Sequence, residues 1–185
     1  MRSIYIDKVL TNMPSHWGEV TLKMLMQIEN GDNQDELFVF SVLVQKTYKE
    51  IVHSTLKEDE VTDAVAFVYT ETPKWNLLVV PKVLTINGKR CKLPNVLKVC
   101  LGQNIMMSNL LERPLSETLI SILAVYFQPV YDGGQFDRER LPDIEQLIEK
   151  VPAVEGWAVA NFFLRSLPNL NRITNQGYIL TKKIP

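Results

Sequence analysis

The spacing of hydrophobic residues along this chain changes several times, and each change marks an element. Ser3-Ile4-Tyr5-Ile6-Asp7 alternates with period two, which predicts a short strand paired at a sheet edge or with a hairpin further on. Leu22, Leu25, Met26 and Ile28 then recur at helical spacing behind Thr21, a candidate N-cap, until Asn30-Gly31 ends the run. Asn33 with Glu36 three residues later has the form of a capping box, and the apolar stretch from Leu37 to Val44 predicts a helix central to the core. Between Lys57 and Glu71, Val61, Ala64, Val65 and Val68 share one helix face. Glu58, Asp59 and Glu60 sit at its positive N-terminal end.

Beyond Pro73 the pattern turns β-like. Leu77 to Val80 is β-prone, and Val83-Leu84-Thr85-Ile86 meets Lys89 to Leu93 across Asn87-Gly88, the preferred type I′ turn pair. Pairing Ile86 with Lys89 sets Leu84 opposite Cys91 and Lys82 opposite Leu93. Leu84, Ile86, Cys91 and Leu93 then share an apolar face, while Thr85, Arg90 and Lys92 point away. Val99 to Leu111 is transitional in pattern. Pro114 and Ser116 open a helix carrying Leu119, Ile120, Leu123, Tyr126 and Phe127, with Gln128-Pro129 as its expected end.

Tyr131 to Asp137 is a turn around Gly133-Gly134; Ile144, Leu147, Ile148 and Val151 mark the next helix, and Pro152 breaks or restarts it. Val154, Trp157, Ala158, Phe162 and Phe163 predict a last helix ending at Leu167-Pro168. The fold class is α+β: a mainly helical single domain over 1–168 of about six helices, with a basic β-hairpin at 82–93 and one or two accessory strands. Residues 169–185 are expected to form an extended C-terminal segment. Leu37, Phe40, Val65, Val68, Leu119, Leu123, Trp157 and Phe162 are expected to lead the core.

Composition changes this picture little: 46% of the 185 residues are hydrophobic, and 20 basic against 21 acidic side chains give a net charge of −1. That balance argues against a dedicated polyanion binder, so nucleic acid is not the expected partner. No apolar run is long enough to span a membrane, and no signal peptide pattern opens the chain, so no membrane partner is expected. Cys91 and Cys100, with eight residues between them and no His nearby, are expected to be reduced thiols.

Chemical motifs are scarce. His16 and His53 are the chain's two histidines, and neither accompanies a nucleophile signature, a phosphate-cradling glycine loop or a zinc motif. Asp132, Asp137 and Glu139 flank a Gly-Gly turn, but their spacing misses the calcium-loop pattern. No catalytic, cofactor or metal residue is therefore assigned.

Charge is distributed unevenly. Residues 19–71 carry eleven acidic and four basic side chains, whereas 72–111 have no acid and six cations: Lys74, Lys82, Lys89, Arg90, Lys92 and Lys98. With Trp75 as an aromatic neighbour, this basic island suits an acidic partner, a second copy's acidic helices or nucleic acid. It could equally face the chain's own acidic helices, or serve as a charged edge against aggregation. The terminal run Tyr178-Ile179-Leu180-Thr181-Lys182-Lys183 is strand-like and could add to a neighbour's sheet, fold back on its own domain, or fray.

Trp17-Gly18-Glu19-Val20-Thr21-Leu22, the hairpin with Ile86-Asn87-Gly88-Lys89 followed by Leu101-Gly102-Gln103, and the aromatic Phe162-Phe163 helix resemble small tail assembly or virion morphogenesis proteins of tailed bacteriophages. Phages of Bacteroidetes hosts, including crAss-like phages, are the expected source. The resemblance covers most of the chain as an order of elements. It implies a non-enzymatic protein of the virion, assembled in the host bacterial cytoplasm. Its partners would be further copies of itself, in a homo-oligomer, and other phage structural proteins. It would serve as a structural subunit of the portal or tail region, or as an assembly chaperone absent from the finished particle. A small phage enzyme or regulator is the remaining alternative.

Overall fold

Alternation at the N-terminus continues past Asp7. In the computed structural model, which describes residues 1–71, 73–75 and 78–166, β1 (Arg2–Ile6) pairs antiparallel with β2 (Val9–Met13). Asp7 and Lys8 make the turn at positive φ, 50° and 69°, so this strand pairs with its own continuation and not with the later hairpin. Ile6 and Met13 are buried beneath it, and Tyr5 lies opposite Leu10 on the outward face.

Helix α1 (Leu22–Asn30) begins as expected: the Thr21 hydroxyl accepts the Met24 N–H, and Gly31 caps the other end. Helix α2 (Glu36–Leu43) differs at its cap. Asp35 accepts the Leu37 and Phe38 N–H groups, in place of the Asn33–Glu36 box. A short α3 (Tyr48–Val52) follows, opened by a Thr47–Glu50 capping box, and α4 (Glu58–Thr70) occupies the expected stretch.

The second hairpin, β3 (Val83–Ile86) and β4 (Lys89–Lys92), has the register expected from its turn: Ile86 faces Lys89 and Leu84 faces Cys91. Asn87 and Gly88 both have positive φ, the requirement of a type I′ turn. The Lys82–Leu93 pair falls just outside this ladder, and residues 78–80 form no strand. The transitional stretch is instead a helix, α5 (Leu101–Leu111).

Helix α6 (Leu115–Asp132) passes straight through Pro129. Proline lacks the N–H that the Val125 carbonyl would accept four residues earlier. The buried Gln103 side chain supplies it: Nε2 donates to Val125 O at 2.8 Å, while Oε1 accepts the Cys100 N–H at the start of α5. One amide thus caps one helix and repairs the next. Gly133, at φ 72°, makes the left-handed C-cap.

Helices α7 (Leu141–Ile148) and α8 (Ala153–Ser166) complete the described chain. Between them, Val151 O and Glu149 O accept the Leu22 and Lys23 N–H groups, and the Ala153 N–H donates to Val20 O. The end of α7 and the start of α1 satisfy each other's otherwise unpaired groups.

The described residues therefore form a mainly helical α+β fold with eight α-helices, not about six, and two antiparallel two-stranded sheets. Helix α6 packs against α1, α5, α7, α8 and β4 at the centre of the core. Phe40, Val65, Val68, Leu119 and Leu123 are buried as expected, whereas Leu37 and Trp157 are half-buried. Phe162 is 40% exposed, because the inward face of α8 carries Gly156, Val159, Ala160 and Phe163 instead. The 169–185 segment lies outside the described residues.

Candidate interaction surfaces

The three cations proposed from the sequence have different surroundings. The Lys89 ammonium donates to the Tyr131 carbonyl and lies 5.2 Å from the Tyr131 ring centroid, a cation–π distance. This lysine fastens the hairpin turn to the end of α6. Arg90 and Lys92 are exposed and make no ion pair among the described residues. Arg90 borders a shallow depression of about 320 Å³ across the outer hairpin face, with Val79, Pro81, Val83, Thr85, Val154 and Glu155 among its lining.

Trp75 does not belong to this surface. It is 7% exposed and packs edge to face against Trp17 at 5.3 Å and Trp157 at 5.7 Å, with Phe67 on the far side of Trp17. Burial of so large an apolar ring outweighs any use as a partner contact. Among the described residues the Trp17 and Trp75 indole N–H groups have no hydrogen-bond partner. Tyr178, Ile179, Leu180, Lys182 and Lys183 lie outside the described residues.

Two carboxylates of the 132–139 turn, Asp132 and Asp137, serve the fold. Buried Gln128 donates to Asp132 Oδ2 at 3.0 Å and to Gln135 O, and accepts the Asp137 N–H at 2.8 Å, strapping the turn to α6. Its hydrogen bond, aided by Arg140, holds the Asp132 carboxyl below the usual carboxylate range. Asp137 caps the Glu139 N–H. Among the described residues no three potential ligands cluster as a metal site would require.

His16 accepts the Gly18 N–H and caps a single turn of 3-10 helix at 17–19, and His53 ends α3. Cys91 is buried, which pushes its thiol up, and Cys100 is exposed; both are free. Among the described residues no helix is long and apolar enough to cross a membrane.

Sequence patterns missed where apolar side chains remain uncovered. On α5, Leu101 is 74% and Ile105 54% exposed, one helical turn apart, with Leu97 69% exposed just before them. Tyr5, Val9 and Leu10 are exposed on the first hairpin, and Val79 stands almost clear of the protein beside the second. A separate groove of about 460 Å³ between α1, α2 and α6 has Met26, Phe38, Val42 and Ile120 among its lining, beside Lys23 and Glu149, which pair at 2.8 Å. No protein-family model matches the chain, and no curated protein or solved structure does.

Proposed function

We propose that this protein is a non-enzymatic structural subunit of a tailed-phage particle, working in the portal or tail region through contacts with its own copies and other phage proteins. Localisation in the virion is part of this reading. The observation that carries it is the exposure of apolar side chains, Leu97 with Leu101 and Ile105 of α5, and the Tyr5–Leu10 pair of the first hairpin. Contiguous exposed apolar groups mark surfaces that other proteins cover. The family resemblance supplies the setting. Arg90 and Lys92, exposed and without an ion pair among the described residues, add a surface that can orient an acidic partner.

A second reading, an assembly chaperone that leaves the finished particle, is favoured by the α1–α2–α6 groove with its partly apolar lining.

Genetic complementation tests the first reading. Disrupting the gene in the phage that encodes it should yield incomplete particles, and the wild-type chain supplied in trans should restore them. Arg90→Glu with Lys92→Glu should restore fewer while leaving the melting temperature unchanged. Lys89 is left out because its contact with Tyr131 would confound the result. Full rescue by the reversed variant would remove the hairpin from the contact surface.

A further inference from the structure

Two exposed faces of this chain complement each other. The first is the outward side of α5, where Leu101 and Ile105 are uncovered with exposed Leu97 just before them, in a stretch of sequence, 72–111, that has no carboxylate and includes the exposed Lys92 and Lys98. The second is the outward side of the β1–β2 hairpin, where Tyr5 and Leu10 form an exposed cross-strand pair. This hairpin is held against the α3–α4 corner: Asp7 Oδ1 accepts the Thr55 N–H at 2.9 Å, and Arg2 donates to Asp63 O at 3.3 Å. Glu58, Asp59 and Asp63 line a shallow depression of about 520 Å³ there. On the hairpin and the start of α4 together, Asp7, Glu58, Asp59, Glu60 and Asp63 outnumber Arg2, Lys8 and Lys57, so this corner of the molecule carries a net acidic charge.

We propose that copies of this chain join head to tail, the Tyr5–Leu10 face and α4 N-terminus of one seating on the Leu97–Leu101–Ile105 face of the next. The proposal rests on the assembly reading above and names the partner as a second copy. The two faces are different surfaces, so a head-to-tail pair still has one copy's Tyr5–Leu10 face and the other copy's Leu97–Leu101–Ile105 face free. Such an interface closes into a ring or extends as a filament, and does not stop at a dimer. Buried apolar anchors supply affinity. The charged borders set orientation and speed of encounter, and weaken with salt.

Exposed Cys100 adjoins Leu101 and provides a native reporter. Ser3→Cys places a second thiol on the outward face of the first hairpin, next to the Tyr5–Leu10 pair. Mild oxidation of this variant should give a ladder of covalent multimers on non-reducing electrophoresis, and adding Cys100→Ser should abolish it. Independently, Ile105→Glu should weaken self-association at least about tenfold in sedimentation velocity, equivalent to about 1.4 kcal/mol, with an unchanged melting temperature. Cross-linking that stops at dimers, or self-association undiminished by Ile105→Glu, overturns the head-to-tail contact. Particles that retain the Ile105→Glu chain at wild-type copy number also overturn it while leaving the assembly reading intact. Absence of the wild-type chain from particles defeats that reading separately.

Discussion

A methyl group at position 156 would lie 2.3 Å from Leu22 Cδ1, so the absence of a side chain there sets how closely α8 approaches α1. Glycine to alanine inside a helix ordinarily stabilises by about 0.5–1 kcal/mol. At this position overpacking should reverse the sign, and Gly156→Ala is expected to lose about 1–3 kcal/mol in urea denaturation. Glu29 is a residue-scale cost of another kind. Burial pushes its carboxyl up, and no cationic partner among the described residues offsets this. Its folded pKa stands above the unfolded value of about 4.3, so stability is lost as pH rises through that window. Glu29→Gln should therefore be more stable than wild type at pH 7, and the difference should vanish below about pH 4. A gain that persists in acid would assign the effect to packing. Phe162 shows the limit of pattern reading at this scale: Phe162 and Phe163 are adjacent on α8, and only the packed helices determine that Phe163 turns inward.

Among the elements, the β3–β4 hairpin was the most legible, because turn chemistry and apolar alternation fix the same register. Helix α1 carried both a cap and a stripe, and α4 a stripe with an acidic first turn. The missed elements had physical reasons. Helix α3 spans five residues and is too short for periodicity. Strand β2 follows a turn made by Asp7 and Lys8, without the glycine that signals such turns. Helix α5 has Leu, Ile and Met around its circumference, so no stripe emerges. Pro129 was expected to end α6 because the compensating amide comes from Gln103, distant in sequence. That compensation predicts a coupling. Gln103→Ala should cost about 1–3 kcal/mol in the wild type by leaving the Val125 carbonyl unsatisfied. It should cost less in a Pro129→Ala background, where residue 129 regains its own N–H. Equal costs in a double-mutant cycle would show that Gln103 acts through the α5 cap alone.

At the scale of the whole molecule, the sequence located the cations but not their employment. Lys89 is engaged by Tyr131, Arg90 and Lys92 face outward, and Trp75 is in the core. The exposed faces of β1–β2 and α5 were not legible, since exposure belongs to the packed molecule: the Leu101 and Ile105 side chains resemble core residues until α5 is seen to rest on α6 by its other side. A protein built this way is expected to act by being covered. Density-gradient sedimentation of lysate from phage-producing cells, with the chain quantified by mass spectrometry across fractions, tests that claim most directly. Co-migration with intact particles at a fixed copy number is the expected result. Particles that form while the chain stays wholly with soluble protein would contradict the structural-subunit account.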